Sequence, residues 1–212
     1  MTLNFKLNPR FWFVIAFVFG SFSSFSQGQT STFKAQFALG INSPSSDGVV
    51  NDFEVQSMNF PTINLGLQYM FKKNLGAKLD FGFNRLVNLE DTPEFKVNYS
   101  RINLQLVYDA SIITSFSNKL GAFVHAGPGF SMIEPLGDFG ENKTSYLNTM
   151  AGIEFHYGIS DKLSIYIDTA YILGLGDDFD PISSGFGSFN GDLLTVTFGA
   201  SISLSGCYYC GD

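Results

Sequence analysis

The sequence predicts an all-β protein, an eight-stranded antiparallel up-and-down transmembrane β-barrel. Three observations carry this. Apolar and polar residues alternate with period two in eight short blocks, the pattern of strands rather than helices. Short and long connections alternate between the blocks, as in barrels with tight turns at one end and loops at the other. No segment after the N-terminal region approaches the roughly 20 apolar residues of a membrane-spanning helix, so a membrane location requires a closed barrel.

Composition agrees. The 212 residues suit a single domain, and charged residues are only 15%, against about 25% in ordinary soluble domains. With 22 Gly and 24 Phe, the chain combines small residues with aromatics, which suits close-packed strands carrying an aromatic outer face. The net charge is −7 and no Lys/Arg cluster is visible, so no nucleic-acid partner is expected.

Residues 1–26 read as a signal peptide. Lys6 and Arg10 precede the apolar run Phe11–Phe19, and small residues lead to Ser26. Cleavage is expected before Gln27. Nine apolar residues are too few for a membrane anchor. The barrel is then expected over 27–206, followed by a tail, 207–212, containing Cys207 and Cys210.

The strands follow in order. Phe33, Ala35, Phe37, Leu39 and Ile41 form one face of the first. Ile63 to Phe71 and Leu75 to Phe83 make the second and third, joined by Lys72-Lys73-Asn74. Ile102 to Tyr108 is the fourth. Leu120 to Phe130 is the fifth, with ambiguous phase, and Gly127-Pro128-Gly129 suggests a bulge or the strand end there. Leu147 to Tyr157, Leu163 to Tyr171 and Leu194 to Leu204 complete the set. Long connections are expected at 42–61, 87–98, 131–145 and 174–191. Short ones are expected at 72–74 and 158–162, and the 109–119 connection is longer than the pattern requires.

A soluble lipocalin-like carrier also has eight alternating strands, with the apolar face turned inward. The other face here is Gly, Ser, Thr, Asn and Gln, a poor soluble exterior but a suitable narrow polar lumen. Aromatics gather at strand ends. Tyr69, Phe71, Tyr108, Phe155 and Tyr157 are expected to form an aromatic girdle at the periplasmic side, and Phe81, Phe83 and Tyr171 one at the outer side.

The segments Ile63–Asn84, Phe123–Ser131 and Gly152–Asp168 resemble OmpA-type outer-membrane barrels. The likeness is closest to the branch found in Flavobacterium-like bacteria and extends over nearly the whole mature chain. It implies an eight-stranded barrel of cell-envelope or porin-like character in the bacterial outer membrane, and not a catalyst. Many relatives carry a C-terminal peptidoglycan-binding domain. This chain ends at Asp212, so that function does not transfer.

The inward face carries charge. Lys78, Asp80, Arg101, Glu154 and Asp168 are expected to form an ionic cluster in the lumen, with both bases paired to the three acids, because charges shielded from water need partners. Such a cluster is either a gate for small ions or a plug in a barrel too narrow to conduct, and eight strands leave room for little beyond side chains. The plug is the expectation, and a narrow porin-like channel the alternative.

Other features point to blander chemistry. Cys207 and Cys210 suit a structural disulfide outside the cytoplasm. His125 and His156 are the only histidines, too few for a His-rich metal site, and His125 reads as lumen-lining. His125 with Ser131 is the one nearby pair for a lipase-type nucleophile, without an evident orienting acid. Asp177, Asp178 and Asp180 read as a solvated acidic loop, with Ca²⁺ binding or bridging to lipopolysaccharide as the alternative. Asn98 and Asn142 head chance glycosylation patterns. No cofactor is implied. The expected partners are outer-membrane lipid and lipopolysaccharide, with an unidentified partner at the loops.

Overall fold

The computed structural model describes residues 32–111 and 119–205. The proposed signal peptide, Cys207 and Cys210 lie outside them. The described residues form eight strands: β1 (Thr32–Pro44), β2 (Asn59–Lys72), β3 (Leu75–Val87), β4 (Lys96–Asp109), β5 (Leu120–Pro135), β6 (Thr144–Gly158), β7 (Leu163–Gly174) and β8 (Leu193–Ser203). Each pairs antiparallel with the next, and β8 closes on β1. Closure pairs every edge, which a strand assembly needs in lipid.

The side-chain faces are those of a membrane barrel. Leu104, Leu106 and Leu147 on the outside are more than 60% exposed, and large apolar residues cover the outer wall of every strand. Lys34, Gln36, Asn64, Lys78 and Arg101 point inward and are buried. This is the reverse of a soluble carrier, and a continuous apolar exterior is stable only against lipid.

Most strands run further toward the long-loop end than their alternation suggests. β4 starts at Lys96, β5 ends at Pro135 and β6 starts at Thr144. The reason is a reversal of polarity along the strands. Beyond the apolar belt, the inward positions become Leu86, Val97, Tyr99 and Ile133, all buried, while Arg85, Lys96, Asn98 and Glu134 turn outward. The extended segments face water outside and pack a small core inside. A pattern sought as apolar-outward ends where that sign changes.

β5 also resolves differently from the bulge or strand end suggested by Gly127-Pro128-Gly129. These residues lie mid-strand. The β4 pairing lapses opposite Gly127 and Pro128, between Asn103–Gly129 and Leu106–Ala126, and resumes in the same register. Pro128 has no N–H to donate, in keeping with the lapse, and its ring faces outward. Gly127 lets the strands approach, since a Cβ there would sit 2.0 Å from the Leu104 carbonyl oxygen.

Candidate functional site

Polar side chains fill the lumen, and a connected network of ion pairs and hydrogen bonds occupies its centre. Lys78 Nζ lies 2.6 Å from Glu154 Oε1 and 3.8 Å from Asp80 Oδ1. Arg101 pairs with Asp80 through Nη1 and donates to Asn103 Oδ1 and Asn64 Oδ1, each at 3.1 Å. Asn103 continues to Asn148, which donates to Ser131 Oγ at 2.8 Å, and Ser131 meets the Tyr99 hydroxyl at 2.8 Å. Toward the turn end, Glu154 Oε2 accepts from Gln36 at 3.0 Å and lies 2.7 Å from His156 Nε2. Asp168 meets His125 Nε2 at 3.1 Å rather than a lysine or arginine.

All five residues of the expected lumen cluster are therefore buried and gathered in one lumen. Four of them, Lys78, Asp80, Arg101 and Glu154, form a continuous chain of ion pairs. The histidines were the unforeseen members. Their inward phase was legible, but which carboxylates they would meet depends on strand stagger. Lumen glycines make the space. A Cβ on Gly82 would lie 2.6 Å from Arg101 Nε, and one on Gly152 would lie 2.6 Å from His125 Nε2.

Two apolar seals enclose this network. At the turn end, Met70, Val107 and Phe123 form a buried cluster, and Lys34 Nζ stands 4.7 Å above the Phe123 ring. At the long-loop end, Leu86, Val97, Tyr99, Ile133, Ile172 and Leu193 close inward. The loops complete that seal. They span 45–58, 88–95, 136–143 and 175–192, and each contributes a phenylalanine to one cluster. The Phe53 ring lies 5.6 Å from Phe95, 5.3 Å from Phe139 and 5.6 Å from Phe186. Asn142 adds a polar tie, donating from loop three to the Ser183 and Phe186 carbonyls of loop four. This clasp was not anticipated. Its signal was a phenylalanine amid polar residues in each long loop.

The remaining candidates take ordinary places. Tyr69, Phe71, Tyr108, Phe155 and Tyr157 face outward near the turn end and are exposed. Asp177, Asp178 and Asp180 are exposed in the last loop. His125 and Ser131 both face the lumen and hydrogen-bond to other partners, so neither meets lipid.

Two constellations resemble chemical sites. His125, Glu154 and Asp168 offer ligand atoms within 4.8 Å of one another, but the Lys78 ammonium already neutralises Glu154 there. Ser164 Oγ, His156 and Glu154 also line up in nucleophile–base–acid order, at 3.1 and 2.7 Å. The ring is reversed, with Nδ1 rather than Nε2 toward the serine. It is also packed between Phe123 at 4.9 Å and Tyr166 at 4.8 Å, and both His156 and Ser164 are buried.

A closed eight-stranded barrel with an apolar exterior and a polar lumen defines the class: a transmembrane β-barrel. Residues 13–201 match the family described as outer membrane protein beta-barrel domain, and the chain belongs to that family. Solved structures share the fold at low identity. A major outer membrane protein from Thermus thermophilus is 10% identical with a TM-score of 0.57, over 83% of this chain and all of that one. Neisserial surface protein A is 12% identical, TM-score 0.56, over 84% of this chain and all of that one. The N-terminal barrel domain of OprF from Pseudomonas aeruginosa is 12% identical, TM-score 0.53, with the same coverage. No curated protein matches.

Proposed function

We propose that this protein is a structural, envelope-interaction barrel of the bacterial outer membrane, with a closed lumen and its long loops on the outer surface. The observation that carries this reading is the sandwich of a filled ionic network between two apolar seals. A conducting pore would have to open both seals and break the Lys78–Glu154 and Arg101–Asp80 pairs. The barrel's role then rests on its outer faces, the belt against lipid and lipopolysaccharide and the clasped loops toward other surfaces. No catalytic role is proposed, because the His156 ring is reversed toward Ser164 and both residues are buried. Residues 1–26 act as the cleaved export signal, and Cys207 with Cys210 forms a structural disulfide on the periplasmic side.

Planar-bilayer recording of the purified, refolded protein tests the central claim. The expected result is no steady conductance. Steady openings whose size or frequency shifts in Arg101→Gln would overturn the plug.

A further inference from the structure

The bases of the long-loop end are not spread around it. The four long loops carry twelve carboxylates and a single base, Lys143. The other two bases of that end, Arg85 and Lys96, sit on the outward faces of β3 and β4. All three therefore share one stretch of outer wall. By register Arg85 faces Asn98, and Asn98 faces Glu134. Glu134 in turn pairs with Lys143 at 2.5 Å.

This row marks the upper edge of the apolar belt. One pair further down, the outer wall becomes Phe83 and Met132, then Phe81, Ile102 and Phe130. A groove of about 680 Å³ opens at the boundary, with Phe81 and Met132 at its apolar side and Asn98, Ser100, Ser145 and Lys143 at its polar side. Arg85 has no acidic partner among the described residues, and its Nε is buried without a hydrogen bond. Lys96 and Lys143 hold only exposed carboxylates, Glu94 and Glu134, and such pairs are weak.

We propose that the outer wall of β3–β6 docks the phosphorylated sugar headgroup of an outer-leaflet glycolipid. The acyl chains lie on Phe81 and Met132. The sugar hydroxyls enter the groove against Asn98, Ser100 and Ser145. The phosphate meets Arg85 and Lys143. Charge selects this wall, because a phosphate approaching the other loops meets carboxylates alone. Glu134 competes with the phosphate for Lys143, so it weakens the site. The site deepens the proposed lipopolysaccharide contact and rests on the long loops facing outward.

The test uses the full chain in detergent micelles, with a diphosphorylated diglucosamine glycolipid as probe and its dephosphorylated form as control, and bound lipid read by native mass spectrometry. The phosphorylated form is expected to be retained selectively. Arg85→Gln with Lys143→Gln should lower its apparent affinity about tenfold, the scale of one charge-assisted hydrogen bond. Glu134→Gln should raise it. Heat-modifiable gel mobility verifies that these surface variants fold. Equal retention of the two lipids, or selectivity unchanged in the double variant, would sink the proposal. Micelle binding does not depend on orientation in cells, so a failure there is separable from a failure of the envelope placement.

Discussion

Arg101 shows how much one lumen residue controls. Its guanidinium is fully buried and reaches Asp80, Asn103 and Asn64. Replacing it with Met leaves Asp80 with a weaker partner in Lys78, at 3.8 Å. Breaking a buried pair from one side costs about 3–5 kcal/mol. Arg101→Met should therefore lower the urea midpoint of the folded barrel in micelles, and adding Asp80→Asn should restore part of the loss. A double variant no better than the single would mean the pair is not coupled. Gly82→Ala tests the same place by volume. Its Cβ would meet the Arg101 guanidinium at 2.6–2.8 Å, and overpacking costs about 1–3 kcal/mol. An unchanged midpoint would show that the lumen has slack. The inward phase of both residues was legible from period two. Their contact was not, because it depends on how far β3 and β4 are staggered.

The extended strands and their loops act together as a second element above the belt. Phe53 is the hub of the clasp, touching a phenylalanine from each of the other three loops. Loop one is also tied to loop four through Ser45 N–H to Asp192 O and Asn190 N–H to Gly48 O. Phe53→Ala should free the loops without unfolding the strands. Limited proteolysis should then cut within 45–58 and 175–192 several-fold faster, while the barrel keeps its heat-modifiable mobility. Cleavage at the original rate would mean that the hydrogen bonds alone hold the loops. The eight strands could be read from sequence because lipid imposes one sign of alternation. Their upper ends could not, because there the outside is polar and Leu86, Val97, Tyr99 and Ile133 point inward.

On the scale of the whole molecule, charge is divided between the two ends. Twelve carboxylates crowd the long loops, while the turn end carries Lys72, Lys73, Lys119 and Lys162 against Asp109 and Asp161. With the loops outside, Ser184→Cys should react with a membrane-impermeant thiol reagent on intact cells, and Asp161→Cys only after lysis, each made with Cys207 and Cys210 replaced by Ser. The opposite pattern would reverse the proposed orientation. What the sequence by itself determined is the barrel: strand number, the hairpin order and the inward or outward phase of most side chains. Lipid on one face and a narrow lumen on the other force a period-two code that needs no knowledge of neighbours. What only the tertiary structure decided is the wiring across the lumen, the phenylalanine clasp and the gathering of Arg85, Lys96 and Lys143 on one wall. Each joins residues far apart in the chain, and their meeting depends on register, stagger and closure, which alternation along one strand does not encode.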